Sequence, residues 1–234
     1  MMVYRILFIA ISILAISCQS RERDAGSETS VEDNSDQMKV ESDKSDDSRK
    51  RIVCFGNSLT AGYGLEGSQS FPSLLQKRID SLGLPYQVVN AGVSGETTSG
   101  GLNRIDWILN QPVEIFILEL GANDVLRGLD LAETRANLQG ILDRVKQKYP
   151  GSKLIIAGMK APPNMGQAYV TEFQQIFSDL AKKNDADLLP FLLEGVAAQP
   201  ELNLPDGIHP NVDGQKIVME NVWGVLAPHV EATF

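Results

Sequence analysis

Two cysteines and two histidines in 234 residues leave little room for several kinds of chemistry. Cys18 lies in an N-terminal export segment and Cys54 inside the apolar run Arg51-Ile52-Val53-Cys54-Phe55, so no disulfide framework is expected. Cys54 reads as a small buried hydrophobe, since a catalytic thiol needs a polar, partly exposed setting. His209 and His229 do not combine with acids at a metal-ligand spacing, and no metal or organic cofactor is expected. Lysine and arginine are scattered and outnumbered, 21 against 30 acidic residues, which argues against a nucleic-acid partner. The first apolar run, from about Ile6 to Ile16, is about a dozen residues long and too short to span a bilayer comfortably.

That run follows Arg5 and leads into small residues before Cys18, the layout of a secretory signal. Leu14-Ala15-Ile16-Ser17-Cys18 resembles a bacterial lipobox, which implies lipidation of Cys18. Residues 1–18 are therefore expected to be a signal peptide and the protein to be exported to the cell envelope, held on a membrane by an N-terminal lipid. Gln19 to Arg49 is Ser, Asp, Glu, Lys and Gly with almost no apolar residues, and cannot offset the entropy of ordering. This acidic tether carries ten acidic and five basic residues, about half of the net charge of −9, so the acidity says little about substrate.

Residues 50–234 have the size of one domain. Short aliphatic runs recur as "RIVCF", "YQVVN", "EIFILEL", "KLIIAGM" and the weaker "ADLLP". Between them, Phe71, Leu74, Leu75, Ile79 and Leu82 keep a period of 3.6, as do Leu138, Ile141, Leu142 and Val145. Further helices are expected over 168–183 and 212–226. Strands that are apolar throughout, alternating with helices, predict an α/β fold whose parallel sheet is covered on both faces. Ligands of such sheets bind beyond the carboxyl ends of the strands, where the loops starting at Gly56, Asn90, Gly121 and Lys160 lie.

The loop Gly56-Asn57-Ser58-Leu59-Thr60-Ala61-Gly62-Tyr63-Gly64 contains the start of a GxGxxG match, Gly62 to Gly67. Its glycines come several residues after the strand, no acid ends the second strand, and no Lys-Ser or Lys-Thr closes the run, so neither a dinucleotide nor a phosphate loop fits. A serine nucleophile suits the loop better. It needs a base and oxyanion donors, and His209 has Asp206 three residues before it in "PDGIHPN". Taken alone, Asp-Gly and His-Pro are also ordinary turn residues. His229, with no such motif around it, is expected at the surface. The serine is not flanked as in GxSxG, which excludes the α/β-hydrolase elbow.

"GNSLTAGYG", "NAGVSGET", "LELGANDVLRG" and "DGIHPN", in this order, resemble the SGNH (GDSL-type) hydrolases, and among them the bacterial thioesterase I/lysophospholipase-like and arylesterase-like members. The resemblance runs from Arg51 to about Trp223 and implies a three-layer α/β/α sandwich with a five-stranded parallel sheet, the flavodoxin-like fold. It implies Ser58 as nucleophile, His209 as base and Asp206 as its acid. It also implies an oxyanion hole from the Ser58 and Gly95 N–H groups and the Asn123 side chain. The family usually has aspartate where this chain has Asn57, an exchange that keeps shape and one acceptor oxygen while losing the charge.

Leu59, Val93, Leu126, Pro162, Pro163 and Met165 are the apolar residues expected to line an acyl pocket, and "KAPPNMGQAY" resembles the family's mobile substrate loop. The expected activity is hydrolysis of short- to medium-chain carboxylic esters, thioesters or lysophospholipids, small-molecule or lipid in nature. Two alternatives stand beside it: a carbohydrate O-acetyl esterase on the same scaffold, and a non-catalytic envelope lipoprotein that kept the fold as a binding module.

Overall fold

Ile52, Val53, Cys54 and Phe55 are buried on both faces of an interior strand of a parallel sheet, which is why that run shows no polar alternation. The computed structural model describes residues 49–231. The expected signal segment, lipobox and most of the tether lie outside the described residues. Arg49, at the tether's end, already pairs with Asp80.

The strands are β1 (Lys50–Gly56), β2 (Tyr86–Gly92), β3 (Ile115–Glu119), β4 (Lys153–Ala157) and β5 (Asp187–Leu189), in the order β2-β1-β3-β4-β5, all parallel. The helices are α1 (Ser58–Ala61), α2 (Phe71–Ser81), α3 (Thr98–Ile108), α4 (Ala122–Leu126), α5 (Leu131–Lys148), α6 (Gln167–Asn184) and α7 (Val212–Glu231). α2 packs with α7, while α5 packs with both α3 and α6, so helices cover both faces of the sheet. This is the expected α/β/α sandwich. The chain reverses direction across the sheet between β1 and β3, the kind of switch point at which such folds open a crevice.

Two helices differ from expectation. α3 is not evident in the sequence because Gly100 and Gly101 open it. A Cβ on Gly101 would lie 2.5 Å from Leu120 Cδ1 and 3.1 Å from the Phe55 ring, so close packing of helix on sheet requires glycine in spite of its poor helix propensity. α7 runs past the expected end at Leu226 and through Pro228. Val230 is fully buried beyond the proline, worth about 1.5–3 kcal/mol, enough to offset much of a lost helical bond. His229, expected at the surface, is half-buried with Nε2 2.7 Å from Asp187 Oδ2. Its partner comes from β5, which no local motif could reveal.

The strand register aligns the loops that leave the sheet. Gly56 lies beside Gly92 on one side and Glu119 on the other. The carboxyl ends of the three neighbouring strands therefore finish level with one another.

Candidate active site

Ser58 is the first residue of α1, where helix N–H groups have no intrahelical acceptor. Asn57 caps this one-turn helix by accepting from the Leu59 N–H at 3.0 Å, and Gly62, at φ 77°, ends it in the left-handed conformation. The glycines of the GxGxxG match are thus a helix C-cap and the turns beyond it, not a phosphate cradle. Ser58 is 9 % exposed, and its Oγ lies 2.9 Å from His209 Nε2.

His209 is presented by the loop before α7. Asp206 Oδ1 accepts from the backbone N–H groups of Ile208 (2.9 Å) and His209 (3.0 Å), and Oδ2 lies 2.7 Å from His209 Nδ1. A carboxylate only accepts, so Nδ1 carries the hydrogen and the Nε2 lone pair faces the serine hydroxyl. The backbone N–H groups of His209 and Ile208, followed by the imidazole, hold the Asp206 carboxyl down at about 2. The Tyr63 ring, centred 4.5 Å from the imidazole, packs against its other side.

Gly95 is at φ 79°, a conformation that side-chain-bearing residues rarely adopt, in the turn between β2 and α3. Asn123 is on α4, and its Nδ2 donates to the Glu96 carbonyl at 2.9 Å, tying that turn to the end of β3. Arg104 holds the same turn from α3: it donates to Glu96 Oε1 at 2.6 Å and Oε2 at 2.5 Å, and to the Ala91 carbonyl at 2.8 Å, while stacking on Phe55. On the other side of Asn123, Asp124 is buried and accepts from the Thr98 N–H and hydroxyl, joining α4 to the start of α3.

Ser58, Asn123 and His209 line one cavity of about 380 Å³, and Gly95 sits outside its wall. Of the apolar residues expected there, Leu59, Leu126 and Pro162 line it. Val93, Pro163 and Met165 do not. Val93 is exposed on the β2–α3 turn, Pro163 opens a 3₁₀ turn, and Met165 packs against the core. The wall also includes Val125, Met159 and the stretch holding Phe191, Leu193, Ala197 and Ala198. That stretch follows β5, and its apolar "FLLEGVAA" at a strand's carboxyl end is the signal that could have revealed it.

The most consequential residue that the motifs do not single out is Glu119. It is buried at the end of β3 and accepts from the Asn57 N–H (3.0 Å), Asn57 Nδ2 (2.7 Å) and Thr60 Oγ1 (2.8 Å). Burial pushes its carboxyl up to about 7, against the hydrogen bonds from Thr60 and Asn57. Gly56 is glycine because a Cβ there would lie 2.5 Å from Glu119 Oε2. Cys54 is buried beneath, and burial alone pushes its thiol up, away from the reactive thiolate. Among the described residues no group of three or more His, Cys, Asp or Glu is arranged to hold a metal.

This arrangement has relatives. Residues 54–217 match the GDSL-like Lipase/Acylhydrolase family. Esterase TesA of Pseudomonas aeruginosa is 37 % identical over 178 residues, covering 76 % of this chain and 88 % of that protein. Thioesterase 1/protease 1/lysophospholipase L1 of Escherichia coli K12 is 37 % identical over 180 residues, 76 % of this chain and 84 % of that protein. The crystal structure of AlinE4, an SGNH-hydrolase family esterase, superposes with a TM-score of 0.64 at 42 % identity, covering 77 % of this chain and 96 % of that one. With the match running from β1 into α7 and so taking in Ser58, Asn123, Asp206 and His209, the chain belongs to the GDSL-like lipase/acylhydrolase family.

Proposed function

We propose that the protein hydrolyses carboxylic esters of short- to medium-chain acids, thioesters or lysophospholipids, through a Ser58–His209–Asp206 triad and an acyl-enzyme. Carboxylic-ester hydrolysis is the activity of the family, whose relatives include a named esterase and a named thioesterase/lysophospholipase. The single observation that carries the finer reading is the unbroken hydrogen-bonded line from Asp206 through His209 to Ser58 at the wall of an apolar cavity.

His209 Nε2 takes the proton of the Ser58 hydroxyl as Oγ attacks the acyl carbonyl carbon. The carbonyl oxygen becomes an oxyanion, met by the N–H groups of Ser58 and Gly95 and by the Asn123 amide, whose second N–H is left after the bond to Glu96. Asp206, ionised down to about pH 2, holds the imidazole in the tautomer that can accept and then steadies the imidazolium. Collapse of the intermediate expels the alcohol or thiol with the proton from Nε2. Water then repeats the sequence on the acyl-enzyme and frees the acid.

The cavity wall favours an acyl chain over a sugar O-acetyl group, because its side chains are mostly apolar. The test is a series of p-nitrophenyl esters of increasing acyl length together with a serine-reactive fluorophosphonate. Labelling that is lost in S58A, with activity extending beyond acetate, is the expected result. Activity confined to acetate would favour the carbohydrate esterase, and folded protein that neither labels nor turns over would favour a binding module.

The envelope location is part of the same proposal, with Cys18 carrying the lipid and the acidic segment up to Arg49 acting as tether. Incorporation of a labelled fatty acid that is abolished in C18A tests it.

A further inference from the structure

Glu119 is a buried carboxyl that takes no part in the triad, yet it is bonded only to the loop that carries the nucleophile. Its acceptors are filled from one side. Asn57 Nδ2 meets Oε1, and the Asn57 N–H and Thr60 hydroxyl meet Oε2. The amide N–H groups can donate and never accept, so the full set of bonds belongs to the ionised carboxylate. A proton on Oε1 would point at an amide N–H, and a proton on Oε2 would require the Thr60 hydroxyl to turn and accept. Asn57 meanwhile uses its other end, Oδ1, to cap α1 through the Leu59 N–H and lies 3.4 Å from Ser58 Oγ. One side chain thus joins the buried carboxylate to the helix that begins with the nucleophile.

We propose that Glu119 is a positioning residue for Ser58 and that Asn57 sets the charge state in which it works: an amide at 57 completes the bonds of ionised Glu119, whereas a carboxyl at 57 makes the two residues a pair that must share a proton. In the chain as it is, the loop is fully bonded on the alkaline side of the Glu119 titration. With aspartate at 57, two carboxyl oxygens would face each other at the 2.7 Å now spanned by Nδ2 and Oε1. Two carboxylates at that distance repel and the second proton is held more tightly, so the fully bonded form becomes the singly protonated pair, on the acid side of the pair's second titration. The sign of the pH dependence reverses with one atom's exchange.

Other charges do not decide the matter. On β1 the Cys54 thiol stays protonated. From α3, Arg104 reaches the Gly56 carbonyl at 3.4 Å but is paired with Glu96. Asp124 on α4 is taken up by Thr98, Asp206 is paired with His209, and His209 meets the loop at Ser58 and the Tyr63 ring. What moves the Glu119 carboxyl is burial, opposed by Thr60 and Asn57.

The inference rests on Ser58 being the nucleophile, and its test separates the two. The pH profile of kcat/KM is measured for the wild type, N57D and N57D/E119Q on one p-nitrophenyl ester, with circular dichroism at each pH to verify folding. The infrared carbonyl stretch of a protonated buried carboxyl is followed in the same samples. The ratio of N57D to wild type is expected to fall by about tenfold or more between about pH 6 and about pH 9, with the protonated-carboxyl band of N57D present on the acid side and lost together with the activity. N57D/E119Q restores one acid and one amide with their places exchanged, and should return the ratio to a flat line. A flat ratio in folded N57D, or loss of the band without a fall in activity, overturns the positioning role. Should N57D not fold, recovery of fold and activity in the double variant supports the pairing and its failure overturns it. If the wild type hydrolyses no ester, the proposed function fails, while the infrared band still decides whether residues 57 and 119 share a proton.

Discussion

Asn123 Nδ2 donates to the Glu96 carbonyl at 2.9 Å, so α4 and the turn carrying Gly95 form one unit. One amide hydrogen holds the unit together, and in the proposed mechanism the other meets the oxyanion. N123A is therefore expected to lower kcat by about 10²- to 10³-fold with KM nearly unchanged, because the lost bond strengthens only as charge develops on the carbonyl oxygen. Steady-state kinetics on a p-nitrophenyl ester measures this. A change confined to KM would remove Asn123 from the oxyanion site.

The same turn depends on Arg104, whose guanidinium meets both Glu96 oxygens and the Ala91 carbonyl. The Glu96 side chain is 7 % exposed and that of Arg104 21 %, so the pair is shielded and its loss is felt. R104M leaves the Glu96 carboxylate unpartnered and is expected to cost about 2–3 kcal/mol of stability in urea unfolding. Because the turn also carries Gly95, kcat should fall alongside stability. E96Q, which keeps an acceptor for Arg104, should lose less of both.

Asp206 stays ionised to about pH 2 because two backbone N–H groups and the imidazole hold its charge. Its depressed value means that its contribution to the fold is fully present above the ordinary carboxylate value of 3.8, declines below it, and is gone once pH has fallen through about 2. No acid limb of the activity profile above about pH 4 should therefore come from this residue. D206N keeps the shape but offers the imidazole the wrong hydrogen, and is expected to lower kcat by about 10³- to 10⁴-fold across the whole pH range. A D206N loss that vanishes at high pH would contradict this role.

How far the sequence reveals this site depends on how local each contact is. The strands, their parallel pairing and Ser58, Asp206 and His209 can be read from apolar runs and motifs, because Asp206 and His209 share one short loop and Ser58 follows a strand. Glu119 cannot be singled out, since "LEL" reads as a strand end and its partners lie about sixty residues away in sequence. Nor can Val93, Pro163 and Met165 be separated from Leu59, Leu126 and Pro162. All six are apolar loop residues, and only the path of each turn decides which way they face. α3 is hidden for a related reason, as the glycine that lets it approach Phe55 and Leu120 also erases its helical signature.

The cavity wall offers a test of substrate class. Leu126 lines the cavity and is 58 % exposed, so it stands at the mouth rather than in the interior. L126E introduces a charge where an acyl chain would cross the rim. KM is expected to rise with acyl length, by about tenfold for medium-chain esters and least for acetate, as burial of each methylene is worth about 0.8 kcal/mol. A uniform effect across the series would mean that chains leave the site by another path.

Glu119 also has a consequence for stability, opposite in sign to that of Asp206. Burial raises its carboxyl from the ordinary value of 4.5 to about 7, so the folded chain binds this proton more tightly than the unfolded chain does. Between those two values the unfolded state has already released it, and stability falls as pH rises, by about 3 kcal/mol over the full window. E119Q has no proton to lose there. The wild type is therefore expected to lose about 3 kcal/mol relative to E119Q between about pH 5 and about pH 8 in urea unfolding, whichever of the two is more stable at the start. Equal slopes would mean that Glu119 keeps an ordinary carboxylate value and that its bonds to Asn57 and Thr60 fully offset burial. With the raised value, the form of Glu119 that completes the bonds under Ser58 is the one the fold tolerates least. The loop holding Ser58 is then ordered at the expense of global stability, a trade made at the buried Glu119 carboxyl that touches it.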